Sequence, residues 1–215
     1  MNMDKWINIL TEREDTTRPL LWSWDMSGNI LELSVPAGVK NEIDNYRHSV
    51  MQVGKIIQRI RNSYPESTEK PSVQLFPNLM DIGLVAVVRA PNTNNPKPNT
   101  LLINGEAKSF KELLEKGKRD FSLEAEEVVF SESDLVSLGI QPEKYRTIVL
   151  SSAVSNPFVW VRTGYFLELL RNFHTDKMMD KEFLSVEKIN KSTKHLISSK
   201  LIKNTVPQAL ILIET

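Results

Sequence analysis

Ile43, Tyr46, Val50, Val53, Ile57 and Ile60 fall at steps of three and four, and this stripe limits the possible folds more than any other feature of the chain. Such spacing puts apolar side chains on one face of a helix and demands a surface to bury them. Asn41 is placed to cap this helix, and the stretch Asn62–Pro65 ends it. The flanking segments read as strands. Arg18–Trp24 and Ile30–Val35 are apolar runs separated by the turn DMSGN, the pattern of a β-hairpin. Val73–Pro77 and Ile82–Ala90 follow the helix as two further strands. The last is apolar at successive positions, as expected of a strand covered on both faces.

The second half alternates in the same way. Ser109–Lys116 reads as a short helix begun by a serine cap, and Glu127–Phe130 as a strand. The serine and acidic residues of SESD at 131–134 suit a helix N-terminus, with Gly139 ending that helix. Tyr145–Ser151 is expected as a buried strand. Phe158–Phe173 is expected as a helix, with Val161, Tyr165, Leu169 and Phe173 at intervals of four. Residues 185–203 read as helical and basic, and VPQALILIET as a closing strand. No internal repeat is legible. The Pro- and Asn-rich stretch 91–99 is a surface excursion within a single domain, 1–215. The fold class is α+β, with a central, mainly antiparallel sheet flanked by helices.

Composition narrows the function. Lys plus Arg and Asp plus Glu both number 27, so the basic excess that phosphate backbones require is absent and no nucleic-acid partner is expected. With no cysteine, thiolate nucleophiles and cysteine metal sites are excluded. The N-terminal MNMDKWINILTERED lacks an apolar leader, and no apolar run approaches the ~20 residues that cross a bilayer. A cytoplasmic protein without membrane partners is expected. Phosphate-loop, dinucleotide-binding, nucleophile-elbow and zinc-helix motifs do not occur. His48, His174 and His195 stand far apart and are expected at partly exposed positions, with no metal.

Three features invite a ligand. Trp22 and Trp24 lie close together in one run, so that one of them is available at an interface or ligand rim. The basic residues Lys188, Lys191, Lys194, His195, Lys200 and Lys203 offer an anion contact or a solvated helix face. In Asn156–Gly164 a strand passes through a short loop into a helix, whose first N–H groups favour an anion, with Arg162 one turn in.

The order of these segments resembles the flavin-dependent nitroreductases, especially their divergent branch of tandem halves. RPLLWSWDMSGNILELSV is similar to that family's Pro-Trp and hairpin region. SVMQVGKIIQRI is similar to its glycine-containing helix, and FPNLMDIGLVAVVRAP to the strand that follows. SNPFVWVRTGYFLELL and VPQALILIE are similar to its later helix and closing strand. The resemblance touches both ends of the chain and skips roughly residues 91–144. It implies an α+β fold, a homodimer, and FMN held between subunits. It also implies hydride transfer from NAD(P)H through flavin to a nitro or quinone acceptor, chemistry that the flavin carries. The implied cofactor-binding residues are Arg18, Trp22, Gly54, Arg162 and Gly164. Arg18 or Arg162 would pair with phosphate, and Trp22 would pack near the ring.

The chain departs from the family at several positions. The arginine–serine–arginine cluster for phosphate has no counterpart beyond Arg13 and Arg18. Thr17 and Arg18 replace an Asn-Gln pair, Lys55 follows Gly54 where a small residue is usual, and Thr163 precedes Gly164. Two other readings therefore stand beside the oxidoreductase. One is a catalytically degenerate flavin-sequestering or interaction module of the same fold. The other is an unrelated α+β interaction protein whose helix at 41–62 is a dimer seam.

Overall fold

The computed structural model describes residues 3–11, 21–64, 69–78, 80–91, 109–141, 144–177, 182–187, 189 and 191–214. The chain divides into two compact units, Met1–Asn104 and Gly105–Thr215. The fold is α+β, as expected, but its strands form two four-stranded antiparallel sheets rather than one central sheet.

The first unit begins with α1 (Met3–Thr11), which packs Trp6 and Leu10 inward and lies against α3. β1 (Ser23–Ser27) and β2 (Ile30–Ser34) form the hairpin, with Ser27 opposite Ile30. The loop is only Gly28–Asn29, tighter than the DMSGN turn expected. Gly28 takes φ +57°, and a positive φ at the first loop residue is what a two-residue type II′ turn needs. Trp22 is buried while Trp24 is about one-third exposed. Residues two apart on a strand share a face, but Trp22 precedes the strand, so the pleat does not govern it.

α2 (Ala37–Lys40) leads into α3 (Ile43–Asn62). Glu42, not Asn41, is the N-cap residue, and its carboxylate accepts from the Asn45 side chain. Tyr46, Val50, Val53, Ile57 and Ile60 are all at most 2 % exposed, whereas Ile43 at the helix start is 62 % exposed. Five of the six stripe residues are thus buried within the chain itself, each side chain contributing roughly 1.5–3 kcal/mol. They are not available as a dimer seam.

β3 (Ser72–Leu75) and β4 (Leu84–Arg89) complete a sheet of order β1-β2-β4-β3. The consecutive burial of Val85 to Val88 has a partly local cause. Leu33 pairs with Ala86 and Ser34 with Leu84, so Val85 is an unpaired bulge residue and the alternation breaks there. In the row Asp25, Glu32, Val87 and Gln74 across the same sheet only Val87 is buried, so this face is polar on every strand of the row but β4.

Tyr46 gives a pH test of this unit. Its hydroxyl donates to the Ile82 carbonyl oxygen at 2.7 Å. Burial, and next the Asp81 carboxylate, push the phenol from 10.0 up to about 12. The folded state therefore favours the protonated form. Its contribution is full below pH 10 and is lost as pH rises through 12. Tyr46→Phe should cost about 1 kcal/mol at neutral pH through the missing hydrogen bond. It should also flatten the fall in urea midpoint between pH 10 and 12. An identical fall in both proteins would show that Tyr46 is not its source.

The second unit repeats the frame. α4 (Phe110–Phe121) packs on α6 (Pro157–Lys177), as α1 packs on α3. β5 (Glu124–Glu127), β6 (Tyr145–Ser152), β7 (Phe183–Val186) and β8 (Val206–Glu214) give the order β5-β6-β8-β7. The long helix again connects the second and third strands, and the second and fourth strands are again central. Even the bulge recurs. Leu150 pairs with Ala209 and Ser151 with Pro207, leaving Gln208 unpaired. In both units a Leu-Ser step faces an unpaired residue followed by alanine. Pro207, which has no N–H to give a ladder, is tolerated beside such an irregularity.

Two elements distinguish this unit. α5 (Glu132–Ser137) lies between β5 and β6, and α7 (Lys191–Lys200) between β7 and β8. Leu135 of α5 and Ile197 of α7 join Val149, Leu210 and Leu212 in one apolar cluster. α6 contacts β7 and β8, and the strand alternation leaves Ala209, Ile211 and Ile213 for the opposite face. β6 and β8 are therefore buried on both faces.

The local helix signals agree with the structure. Ser109 accepts from the Glu112 N–H, and Ser131 and Asp134 form a reciprocal capping box. Several boundaries differ from expectation: β1 falls at Ser23–Ser27 rather than Arg18–Trp24, and α4 and α6 run on to Phe121 and Lys177. β5 falls at Glu124–Glu127, three residues before the expected start, and 185–203 contains β7 as well as α7. β5 reads EAEE, and its charges obscure a strand whose outer groups are tied by ion pairs such as Arg146–Glu127 at 2.7 Å.

Candidate functional site

Of the residues implied as a flavin site, Arg18 lies outside the described residues. Trp22 and Gly54 belong to the first unit, Arg162 and Gly164 to the second. Trp22 is buried at 6 % exposure. Gly54 and Gly164 are both buried in the interior of a long helix, and Arg162 is exposed.

The repeat gives the two glycines a shared context. Aligned on them, GKIIQRIR at 54–61 and GYFLELLR at 164–171 match in glycine and arginine, with Gln58 opposite Glu168. Glu168 is 1 % exposed and accepts from Arg171 Nη2 at 2.6 Å. Gln58 is also buried, and its amide donates to Asn62 at 2.6 Å. A buried carboxylate requires such a partner, since an unpaired one costs several kcal/mol. This correspondence is too diverged to stand out in the sequence without the strand pairing to align it.

The start of α6 is closed by its own chain. Asn156 Oδ1 accepts from the Val159 N–H at 3.0 Å, and the Asn156 carbonyl oxygen accepts from the Trp160 N–H at 3.0 Å. Pro157 has no N–H to offer, so the first turn presents fewer donors than a helix begun by another residue. The Trp160 indole donates to Ser155 Oγ at 2.8 Å, fixing the entering loop. An anion would meet little of the N–H array expected there.

Beneath that loop lies a polar cluster missed from the sequence. Gln208, fully buried at the bulge, donates from Nε2 to Ser152 Oγ at 2.9 Å and to the Val206 carbonyl oxygen at 3.1 Å. Ser152 Oγ donates in turn to the Val154 carbonyl oxygen. Thr205 Oγ1 meets Ser151 Oγ at 2.8 Å. The one available signal was a glutamine inside the apolar run VPQALILI. These bonds fasten the last strand to the loop that leads into α6.

His174 is buried beside the Phe183 ring, contrary to the partly exposed position expected, while His48 is half-buried and His195 exposed. Among the described residues no group of three or more His, Asp or Glu could hold a metal ion. No helix among them is long and apolar enough to cross a membrane. No known family model matches the chain, and no curated protein matches it.

Proposed function

We propose that this chain is a divergent FMN-binding protein of the nitroreductase type, with two halves of one design. The observation that carries the proposal is the repeated frame. A branch of tandem halves implies two similar units, and the two units share strand order, long connecting helix and bulge. Gly54 and Gly164 then occupy equivalent places, one in each half. Arg162 is the exposed cation suited to the flavin phosphate.

The fit to a catalytic flavin site is incomplete. The α6 start satisfies most of its own N–H groups, and Trp22 is buried. Lys55, buried itself, follows Gly54 where a small residue would leave room for a ring edge. These features favour the catalytically degenerate form, a module that holds flavin or a protein partner without turning over NAD(P)H or reducing a nitro or quinone acceptor. The dimer that the resemblance implies belongs to the same proposal.

The test is the visible spectrum of the purified protein, followed by FMN titration and an NAD(P)H oxidation assay. Flavin absorbance that survives gel filtration is expected, without NAD(P)H oxidation above free FMN. Arg162→Ala should weaken FMN binding about tenfold, or ~1.4 kcal/mol. A colourless protein that FMN does not titrate ends the flavin reading, whereas rapid NAD(P)H oxidation restores the full oxidoreductase.

A further inference from the structure

The geometry points to a second ligand site, in the second unit, that takes a small organic anion with a short apolar body. An open cleft of about 440 Å³ lies between α7 and the segment that enters β8. That volume falls in the range of small-molecule pockets, roughly 300–1,000 Å³. Among the described residues the first unit has no counterpart of α7 between its third and fourth strands, so the wall that makes the cleft is an addition to the common frame.

Lys194 and Ser198 stand one turn apart on α7 and face the cleft together. Asn204 and Thr205 bring an amide and a hydroxyl from the opposite side. Ile202 and Val206 supply apolar surface, and Ile202 stays 89 % exposed, an apolar side chain left in water at the rim. The segment is held in place before any ligand arrives. The Ile202 N–H donates to Glu126 Oε1 at 3.0 Å, and the Thr205 hydroxyl rests on the buried Ser151.

Charge decides the ligand class. Lys203, also at the cleft, pairs with Glu124 at 2.9 Å, and that pairing holds the Glu124 carboxyl below its ordinary value. Lys200 pairs with Asp134 at 3.1 Å. No described carboxylate lies within ion-pair distance of Lys194. The cleft therefore presents the Lys194 ammonium beside neutral hydrogen-bonding groups and an apolar wall, while Glu124 is shared by Lys203 and Lys118 and Glu126 is engaged by the Ile202 N–H. A monoanion whose carboxylate meets Lys194 and whose hydrocarbon covers Ile202 and Val206 satisfies all three.

The site is independent of the flavin reading. The test is calorimetric titration of the flavin-free full chain with hexanoate, with hexanol and hexylammonium as controls. Hexanoate should bind saturably, and both controls at least tenfold more weakly. Lys194→Gln should weaken hexanoate about tenfold, and Ser198→Trp should abolish binding by filling the cleft. Both positions are exposed, so unchanged thermal melts are expected as the folding control. Equal binding of hexanol, or hexanoate binding that survives both substitutions, overturns the proposal. FMN that leaves hexanoate binding unchanged supports two separate sites. FMN that displaces hexanoate, and is itself lost in Lys194→Gln, overturns the claim of a second site.

Discussion

Gly117→Ala is expected to destabilise the protein by about 2 kcal/mol, although alanine is the better helix former by about 1 kcal/mol. A Cβ at this position would lie 2.4 Å from Phe166 Cζ and 2.6 Å from its Cε1. Those atoms end a side chain, but this one has nowhere to go. Phe166 is fully buried, and its ring centre lies 5.5 Å from that of Phe121. Gly117 on α4 is thus a point of close approach to Phe166 of α6. The added methyl must push apart two helices or force the ring off its rotamer. The first unit supplies the control substitution. Ile56 stands where Phe166 stands in the repeat, so Phe166→Ile shortens the ring to a residue the frame already accepts. Phe166→Ile alone should cost about 1–3 kcal/mol through lost packing. The double variant should be more stable than the sum of the two losses predicts, because the clash no longer exists. Urea unfolding of the four proteins measures this coupling. Additive losses would mean that the methyl is accommodated elsewhere.

Gln208→Leu should cost about 2–3 kcal/mol, near the upper end for a broken buried hydrogen-bond group. The shape is nearly conserved, so packing changes little. What is lost is the amide that donates to Ser152 Oγ and to the Val206 carbonyl oxygen, from a side chain that is itself fully buried. Amide hydrogen exchange should rise in the loop 153–156 and at the first turn of α6, since that network holds them. The repeat again supplies the comparison. Val85 occupies the same bulge position in the first unit, so the backbone irregularity by itself does not require a polar side chain. If Gln208→Val costs less than about 0.5 kcal/mol, within the range of ordinary surface changes, the network contributes nothing to holding the loop.

The flavin-type resemblance and the repeat meet at Gly54 and Gly164. From the residues alone these glycines belonged to two different motifs, one early and one late. Each stands on the long helix between the second and third strands of its unit, where the two helix sequences align with glycine and arginine matched. The neighbouring Gln58 and Glu168, and Arg61 and Arg171, follow the same rule. The arginines now serve different partners, with Arg61 reaching the Pro71 carbonyl oxygen at 3.3 Å and Arg171 the Glu168 carboxylate. Divergence of those partners accounts for a repeat that is absent to the eye in the linear chain.

The sequence by itself determined the elements whose causes are local. The 3.6-residue stripe of α3 and the serine caps of α4 and α5 all act across three or four residues. Each can be read without knowing what lies opposite. Only the tertiary structure decided the two sheets, the recurrence of the bulge and the buried polar cluster. The contacts that make them join residues far apart in the chain: Leu33 with Ala86, Leu150 with Ala209, and Ser152 with Gln208. A strand's own pattern states which residues want burial but not which strand will pair with it. That choice belongs to the register of hydrogen bonds across the folded sheet.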